Sequence, residues 1–186
     1  REVLLAYIDT GKQLIAQKAL SFLNDGATIY IDGSTTCSEL ARILPCNKRL
    51  TVFTDSIEAL CVLRDKSAYL TLYLISGELA RDKNTLDGYF ALKASQQINV
   101  DTVFFSCAGF TDEGITNKGL IGTQVKKTFL KNARRKVLLA DSTKYGQYYL
   151  YMISTWNDID TLITDNGLSE EARKFIRTQH TQIIIA

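Results

Sequence analysis

The sequence predicts an α/β fold, in which an open, mostly parallel β-sheet carries helices on both faces. Short apolar runs alternate with amphipathic segments of helical period, and this alternation is typical of parallel strands that are buried on both sides. Stretches rich in Gly, Asp and hydroxyl residues follow most of the apolar runs, at the strand ends where such sheets bind ligands. The 186 residues, of which 46% are hydrophobic, are enough for one well-filled core.

The individual elements follow from these runs. The predicted strands begin at Ala27, Leu50, Leu70, Thr102, Lys136, Thr161 and Ile183. The predicted helices are residues 11–23, 36–44, 56–65, 85–97, 122–133 and 168–178. In the first helix, Ile15, Ala19 and Leu23 fall on one side, as expected of a helix that packs on a sheet. The order of elements predicts a Rossmann-like sheet.

Charge and composition exclude several classes of protein. Lys and Arg number 22 against 20 for Asp and Glu, and the net charge of +2 lacks the basic excess of a nucleic-acid-binding module. No apolar run approaches the roughly 20 residues of a membrane span, and the charged start lacks the pattern of a signal peptide. The four cysteines form no C-x-x-C pair, so we expect reduced thiols. We expect a cytoplasmic protein with no metal site and no cofactor.

The segment Asp32–Thr36, "DGSTT", is the first candidate site. Thr36 and Glu39 have the T-x-x-E spacing of a capping box, which explains these two residues by helix capping alone. The four residues before Thr36 have what an anion site at a helix N-terminus needs, namely small side chains, free backbone N–H groups and hydroxyls. The residues alone are compatible with two interpretations of this segment: a helix cap and nothing more, or an anion site.

Polar residues also follow the other predicted strands. They are "TDS" at 54–56, "SGE" at 76–78, "AGFTDEG" at 108–114, "ADSTK" at 140–144 and "TDNG" at 164–167. Each stretch taken singly is also explained by helix caps and turns. Lys144 is not explained by capping, and it places a cation in the same layer as the hydroxyls of "DGSTT", an arrangement that binds a phosphate monoester. The alternative for Lys144 is a solvated loop lysine.

Taken together and in order, these motifs resemble a known family. "YIDGSTT", "LTVFTDS", "LISGEL", "LDGYFA", "DTVFFSCAGFTDEGIT" and "LLADSTKYG" are similar to the effector-sensing C-terminal domain of DeoR-type transcriptional regulators. The resemblance covers almost the whole chain. That domain is related in fold to ribose-5-phosphate isomerase and glucosamine-6-phosphate deaminase, so the resemblance implies an isomerase/CoA-transferase/deaminase-like sensor fold.

The resemblance also implies a function. A domain of this kind binds a phosphorylated sugar or a related metabolite, forms a homo-oligomer (a dimer or a tetramer), and controls an upstream winged helix-turn-helix that binds operator DNA. The implied whole protein is a cytoplasmic regulator, a repressor of sugar metabolism genes, without membrane association. Residues 1–10 would then be the tail of an interdomain linker and residues 11–186 the sensor domain, and the DNA-binding domain would precede residue 1, outside this chain.

The residues implied to bind the effector follow from the same resemblance. They are Asp32, Gly33, Ser34, Thr35, Thr36, Thr54, Asp55, Ser56, Gly77, Gly109, Lys118 and Lys144. Three positions depart from the family's usual pattern, which has Gly at Ser34, Asn at Asp55 and Gly at Ser76. An ionised Asp55 repels a phosphate, so either Asp55 faces the sugar hydroxyls or the effector's charge lies elsewhere.

A sugar-phosphate isomerase is the alternative function. "DGST" and "GFTDEG" resemble the isomerase phosphate loop and acidic loop, but aldose–ketose isomerisation needs a positioned carboxylate to move a proton. In the related isomerases this base follows the acidic loop, and here no Asp or Glu occurs between Glu113 and Asp141. His180 is the sole histidine and offers no catalytic triad. We therefore expect no catalytic residues. A sensor binds a sugar phosphate without turnover, an isomerase converts it, and a purely structural oligomerisation module ignores it.

Overall fold

The computed structural model describes residues 10–66, 68–81 and 84–186. The α-helices in these ranges are α1 (Thr10–Ala19), α2 (Thr35–Ile43), α3 (Ile57–Arg64), α4 (Tyr89–Ser95), α5 (Leu120–Lys131) and α6 (Glu170–Thr178). Within these ranges, no helix has the length and apolar character needed to cross a membrane. The predicted linker tail, residues 1–10, lies outside the described residues apart from Thr10, which begins α1.

The β-strands follow in chain order. They are β1 (Thr28–Ile31), β2 (Leu50–Thr54), β3 (Leu70–Leu74), β4 (Glu78–Ala80), β5 (Thr85–Asp87), β6 (Val100–Phe105), β7 (Gly109–Thr111), β8 (Gly114–Asn117), β9 (Ala133–Leu139), β10 (Tyr151–Ser154), β11 (Thr161–Thr164) and β12 (Gln182–Ile185). Seven of them form the central sheet in the order β12-β11-β9-β6-β1-β2-β3. All neighbouring strands in this sheet are parallel. The predicted α/β fold is therefore confirmed, and each predicted apolar run contributes one of the seven strands.

The strand order places a topological switch point beside β1. From β1 the chain continues outwards to β2 and β3, and β6 then returns to the other side of β1. Ligands of open parallel sheets bind in the crevice at the carboxyl ends of strands on either side of such a point. The loops that follow β1, β2 and β6 therefore surround the place where a site is expected.

Two apolar layers cover the sheet. Successive residues of a strand point to opposite faces, and in β1 the buried Ile29 and Ile31 pack with α1, α2 and α3. The Tyr30 side chain points the other way, into the layer of α4, α5 and α6, where its ring stacks on Phe129 with centroids 3.8 Å apart. Both layers come close to the end of β1, and they hold the loop after it in place.

The sequence does not predict the two smaller antiparallel sheets. One is the pair β4 and β5, and the other has the order β10-β8-β7. The predicted helix over residues 85–97 is wrong in its first part, because Thr85 forms an antiparallel bridge with Ser56 and residues 85–87 form β5. Gly88, with a φ of 93° that favours glycine, separates this strand from α4. Both small sheets supply residues to the site described next.

Candidate ligand-binding site

A cavity of about 350 Å³ lies at the switch point. It is lined by Gly33, Ser34, Thr35, Asp55, Thr85, Asp87, Ser106, Cys107, Ala108, Asn117, Gly122 and Lys126. The loops after β1, β2 and β6 contribute, as the strand order requires, and β5, β8 and α5 close the remaining sides. The volume is within the usual range for small-molecule sites, roughly 300–1,000 Å³.

Asp32 fixes the conformation of the loop that follows β1. Its side chain is fully buried, and one carboxylate oxygen accepts a hydrogen bond from the Ser34 amide at 2.9 Å. The other oxygen accepts from the Ser106 amide at 2.9 Å and from the Lys126 ammonium. Burial opposes ionisation, but the charge of Lys126 and these hydrogen bonds hold the pKa of Asp32 below its ordinary value. Asp32 is thus an ionised carboxylate that joins the ends of β1 and β6.

Ser34 is the N-cap of α2, and the predicted capping box is wrong. Its hydroxyl oxygen accepts from the Cys37 amide at 3.3 Å, so the helix begins at Thr35, two residues earlier than the box requires. The physical reason is that the bond between Asp32 and the Ser34 amide fixes Ser34 in the extended conformation of a cap. Thr36 lies inside the first turn, buried, and its hydroxyl has no hydrogen-bond partner among the described residues.

The loop leaves several backbone donors unused. Within the described ranges, no protein group accepts a hydrogen bond from the N–H groups of Gly33, Thr35 or Thr36. These amides lie at the N-terminus of α2, the positive end of the helix dipole. Gly33 must be glycine here, because a Cβ at this position would lie 2.1 Å from the Thr85 Cγ2 atom. The loop is therefore small, rigid and rich in free donors, as an anion site requires.

Lys126 supplies the cation that lines the cavity. Its ammonium donates to the Ser106 carbonyl at 2.8 Å and to Asp32, and only 12% of its side chain is exposed. Sequence reasoning missed this residue, because the run "QVKKTFLK" is typical of a solvated helix face. The signal that could have identified it is its spacing. Lys126 falls three residues after Thr123 and three before Phe129, both buried in α5, and therefore lies on the buried face of the helix.

Asp55 lies on the opposite side of β1 from Lys126. The residue is only 6% exposed and lines the cavity, yet its Oδ1 atom has no hydrogen-bond partner among the described residues. Burial, followed by the negative charge of Asp32, raises the pKa of Asp55 to about 7, although the charge of Lys126 opposes the rise. At neutral pH the carboxyl group is therefore divided between its two protonation states.

The hydroxyls beside Asp55 serve local structure. Thr54 Oγ1 accepts from the Ser56 amide at 3.1 Å, and the Ser56 hydroxyl oxygen caps α3 by accepting from the Ala59 amide at 3.1 Å. Both residues are buried, and neither is among the residues that line the cavity. Of the predicted motif at 54–56, the structure thus brings only Asp55 to the cavity.

Lys144 reaches the same edge of the sheet but does not line the cavity. Its ammonium donates to the Ser106 hydroxyl at 3.0 Å and to the Cys107 carbonyl at 2.9 Å. Because Ser106 and Cys107 line the cavity, Lys144 contacts two residues of the cavity wall without lining the cavity itself. The cation at the cavity itself is Lys126.

The remaining predicted residues also lie outside the cavity lining. Gly77 and Gly109 allow close backbone packing, since a Cβ there would lie 2.4 Å from the Asp87 carbonyl oxygen and 2.3 Å from the Gln147 carbonyl oxygen. The Lys118 ammonium sits over the Tyr149 ring, 4.9 Å from its centroid.

The cavity has two chemically different sides. Lys126 and the free amides of the loop after β1 are donors, and Asp55 and Asp87 bring carboxyl groups from β2 and β5. Among the described residues, no histidine lines the cavity. No cluster of three metal-ligating side chains occurs in the described parts of the chain. The arrangement can bind an anionic group together with neighbouring hydroxyls.

Comparisons with known proteins agree with the motifs. The family described as the DeoR C-terminal sensor domain matches residues 9–166. GolR, an HTH-type transcriptional regulator of Listeria innocua, is 32% identical over 164 residues, which are 88% of this chain and 64% of GolR. GlcR, an HTH-type transcriptional repressor of Bacillus subtilis, is 30% identical over 164 residues, 87% of this chain and 62% of GlcR. The chain thus spans less than two thirds of either relative.

Solved structures show the same fold at low sequence identity. A ribose-5-phosphate isomerase in complex with phospho-erythronic acid has a TM-score of 0.53 and 13% identity, covering 74% of this chain and 54% of its own. The eIF2B beta subunit of Chaetomium thermophilum has a TM-score of 0.55 and 14% identity, covering 92% of this chain and 52% of its own. The resemblance drawn from the sequence is confirmed by the match over residues 9–166. The chain belongs to the DeoR family and contains its C-terminal sensor domain.

Proposed function

We propose that this chain is the ligand-sensing domain of a transcriptional regulator and binds a phosphorylated sugar or a related metabolite in the cavity beside β1. One observation carries the proposal: a loop with unused backbone donors and a largely buried lysine, Lys126, line the same cavity of about 350 Å³. The backbone donors and the cation come from different parts of the chain, and both support an anion at the same place.

The proposed phosphate lies against the loop that follows β1. The amides of Gly33, Thr35 and Thr36 supply directional donors, and the N-terminus of α2 supplies a favourable potential. The hydroxyls of Ser34 and Thr35 are further donors. Lys126 adds a charge-assisted hydrogen bond worth about 1.5–3 kcal/mol. The sugar then extends away from this loop towards β5 and β8, which close the other side of the cavity.

The proposed signal passes to an upstream DNA-binding domain. GolR and GlcR are named HTH-type regulators, and this chain matches only part of each. We propose the same organisation here, in a cytoplasmic homo-oligomer that represses sugar metabolism genes. GlcR, a named repressor, supports that direction of control. The net charge of +2 agrees with a domain that leaves DNA contacts to another part of the protein.

The proposed domain binds without turnover. The stretch from Glu113 to Asp141, which includes α5, contains no internal Asp or Glu that could act as the isomerase base. The likeness to a ribose-5-phosphate isomerase at 13% identity supports a shared fold and carries no activity to this chain.

A thermal-shift screen tests the proposal. The chain is heated with a panel of phosphorylated sugars and with the same sugars lacking the phosphate. A ligand at about 100 times its dissociation constant adds about 2.7 kcal/mol, which we expect to raise Tm by roughly 5–10 °C for a domain of this size. The unphosphorylated sugars should give no shift.

Product analysis by NMR on the same samples separates a sensor from an isomerase. We expect every sugar phosphate to remain unchanged. Conversion of a bound sugar phosphate would establish the isomerase function, and a panel without any phosphate-dependent shift would contradict the proposed site.

A further inference from the structure

Asp55 has a buried and unsatisfied polar atom beside the cavity. Its Oδ1 has no hydrogen-bond partner among the described residues, although the residue is only 6% exposed and lines the cavity. The same atom lies 3.3 Å from the position that a Cβ of Gly33 would occupy. The unpartnered oxygen is thus at the base of the loop that we propose to bind the ligand's anionic group.

The charge that acts most strongly on Asp55 is the negative charge of Asp32. Asp32, from the loop after β1, is ionised, and Asp87, from β5, lines the same cavity. Among the described residues, the cation that lines the cavity is Lys126 from α5, and it is bonded to Asp32 and to the Ser106 carbonyl. An ionised Asp55 would therefore face the bound anion without a cation of its own.

Two further titratable groups near Asp55 stay neutral. The buried Tyr30 hydroxyl, from β1, has its pKa raised by burial and by the charge of Asp55. It faces the Asp55 carboxyl without forming a hydrogen bond to Oδ1, and its interaction favours the ionised carboxyl but does not offset burial. The Cys107 thiol, which lines the cavity after β6, has its pKa raised by burial to about 12. Neither group changes charge between pH 6 and pH 8. Asp55 itself titrates in that range, because burial and Asp32 raise its pKa to about 7.

We propose that Asp55 binds the anionic group of the ligand in its protonated form, so that anion binding takes up one proton. The inference rests on the proposed function, because it uses the same cavity and the same anion. The proton comes from solvent and binds to a carboxylate oxygen, which then donates a hydrogen bond to an oxygen of the ligand. The proton returns to solvent when the ligand leaves. Protonation thereby changes Asp55 from a carboxylate that repels the anion into a group that donates a hydrogen bond to it.

Inorganic sulfate is the probe, because its charge does not change between pH 6 and pH 8. The amide resonances of Gly33, Ser34 and Ser106 report its binding in NMR titrations of this chain. With a pKa of about 7 and one proton taken up, we expect the dissociation constant to rise about tenfold from pH 6 to pH 8. A dissociation constant that is independent of pH, or that falls with rising pH, would overturn the proposal.

Two variants sharpen the test. Asp55→Asn keeps the shape of the side chain and provides a permanent N–H donor, so sulfate should bind independently of pH and more tightly than wild type at pH 8. Glu113→Gln removes an exposed carboxylate outside the cavity and should keep the wild-type pH dependence. An unchanged pH dependence in Asp55→Asn would overturn the proposal. If the Asp55→Asn variant does not fold, the pH dependence of sulfate binding to wild type alone decides the proposal.

The inference and the proposed function can fail separately. Sulfate that moves none of the three resonances at pH 6 overturns the inference. The thermal-shift panel then decides independently whether the cavity binds phosphorylated sugars.

Discussion

The ammonium of Lys126 is bonded to the carboxylate of Asp32, which precedes it by 94 residues. The Asp32 side chain is fully buried and that of Lys126 nearly so. The contact joins α5 to the loop after β1 and leaves the lysine at the cavity wall. A buried pair of this kind is costly to break from one side, because the remaining charge has no counter-ion.

Lys126→Ala should lower the free energy of unfolding by about 3–5 kcal/mol, since it leaves Asp32 buried, ionised and unpaired. Chemical denaturation measures this change. Lys127→Ala is the matched control, because Lys127 is exposed on the same helix, and we expect a change within about 0.5 kcal/mol. Adding Asp32→Asn to Lys126→Ala should recover part of the loss. Equal effects of Lys126→Ala and Lys127→Ala would show that the buried pair contributes nothing.

Lys144→Ala should weaken a phosphorylated ligand by no more than about threefold, since charges that do not touch are worth under about 1 kcal/mol near a protein surface. The Lys144 ammonium is already bonded to Ser106 and Cys107. Under conditions in which the Lys126→Ala variant stays folded, its affinity for the same ligand should fall by roughly 10- to 100-fold. Isothermal titration calorimetry compares the two. A larger loss for Lys144→Ala would assign the phosphate to Lys144, as the sequence alone predicts.

Gly33→Ala should destabilise the domain by about 1–3 kcal/mol, the usual cost of overpacking. The new Cβ would lie 2.1 Å from the Thr85 Cγ2 atom. Thr85→Ser removes that methyl group, so the double variant should recover most of the stability in a double-mutant cycle. Additive effects of the two substitutions would mean that the contact between Gly33 and Thr85 is not the cause.

Asp55→Asn should stabilise the domain more at pH 8 than at pH 5. The folded protein holds the Asp55 proton up to a pKa of about 7, whereas the unfolded chain releases it near its ordinary pKa of 3.8. Wild-type stability is thus lost as pH rises through this window, by about 2–3 kcal/mol between pH 5 and pH 8. Urea denaturation of both proteins at the two pH values gives the difference, and the same stability difference at both would exclude a buried, titrating Asp55.

This chain alone should bind DNA weakly and without sequence preference, and moderate salt should abolish the binding. The physical reason is its net charge of +2, which releases few counter-ions from the phosphate backbone. Fluorescence anisotropy with a specific operator and a scrambled duplex measures it. Sub-micromolar, operator-specific binding would contradict the expectation.

The central sheet is predictable from the sequence because its strands are buried on both sides, and burial leaves continuous apolar runs such as 102–108. The small antiparallel sheets leave no such trace. Strands β4 and β5 have three residues each and are partly exposed. Their polar residues therefore predict a loop or the start of a helix. Thr85, Asp87 and Asn117 come to the cavity from these sheets and could not be found by periodicity.

The candidate site is predictable where a residue follows a strand directly. Gly33, Ser34, Thr35 and Asp55 all line the cavity for that reason. Lys126 could not be found in this way, because it reaches the cavity from the middle of a helix. The capping box failed for a related reason, since a bond from Asp32 within the loop decided which residue caps α2.

The bonds that Asp32 makes also set an order of events during synthesis. The loop after β1 leaves the ribosome long before Ser106 and Lys126, which hold its carboxylate in the finished domain. The loop has no bridge to Ser106 until β6 has joined the sheet, and it has no cation until α5 has docked. A nascent chain therefore lacks the complete cavity until α5 has been synthesised, and the proposed ligand would select only molecules in which both sides of the switch point are assembled.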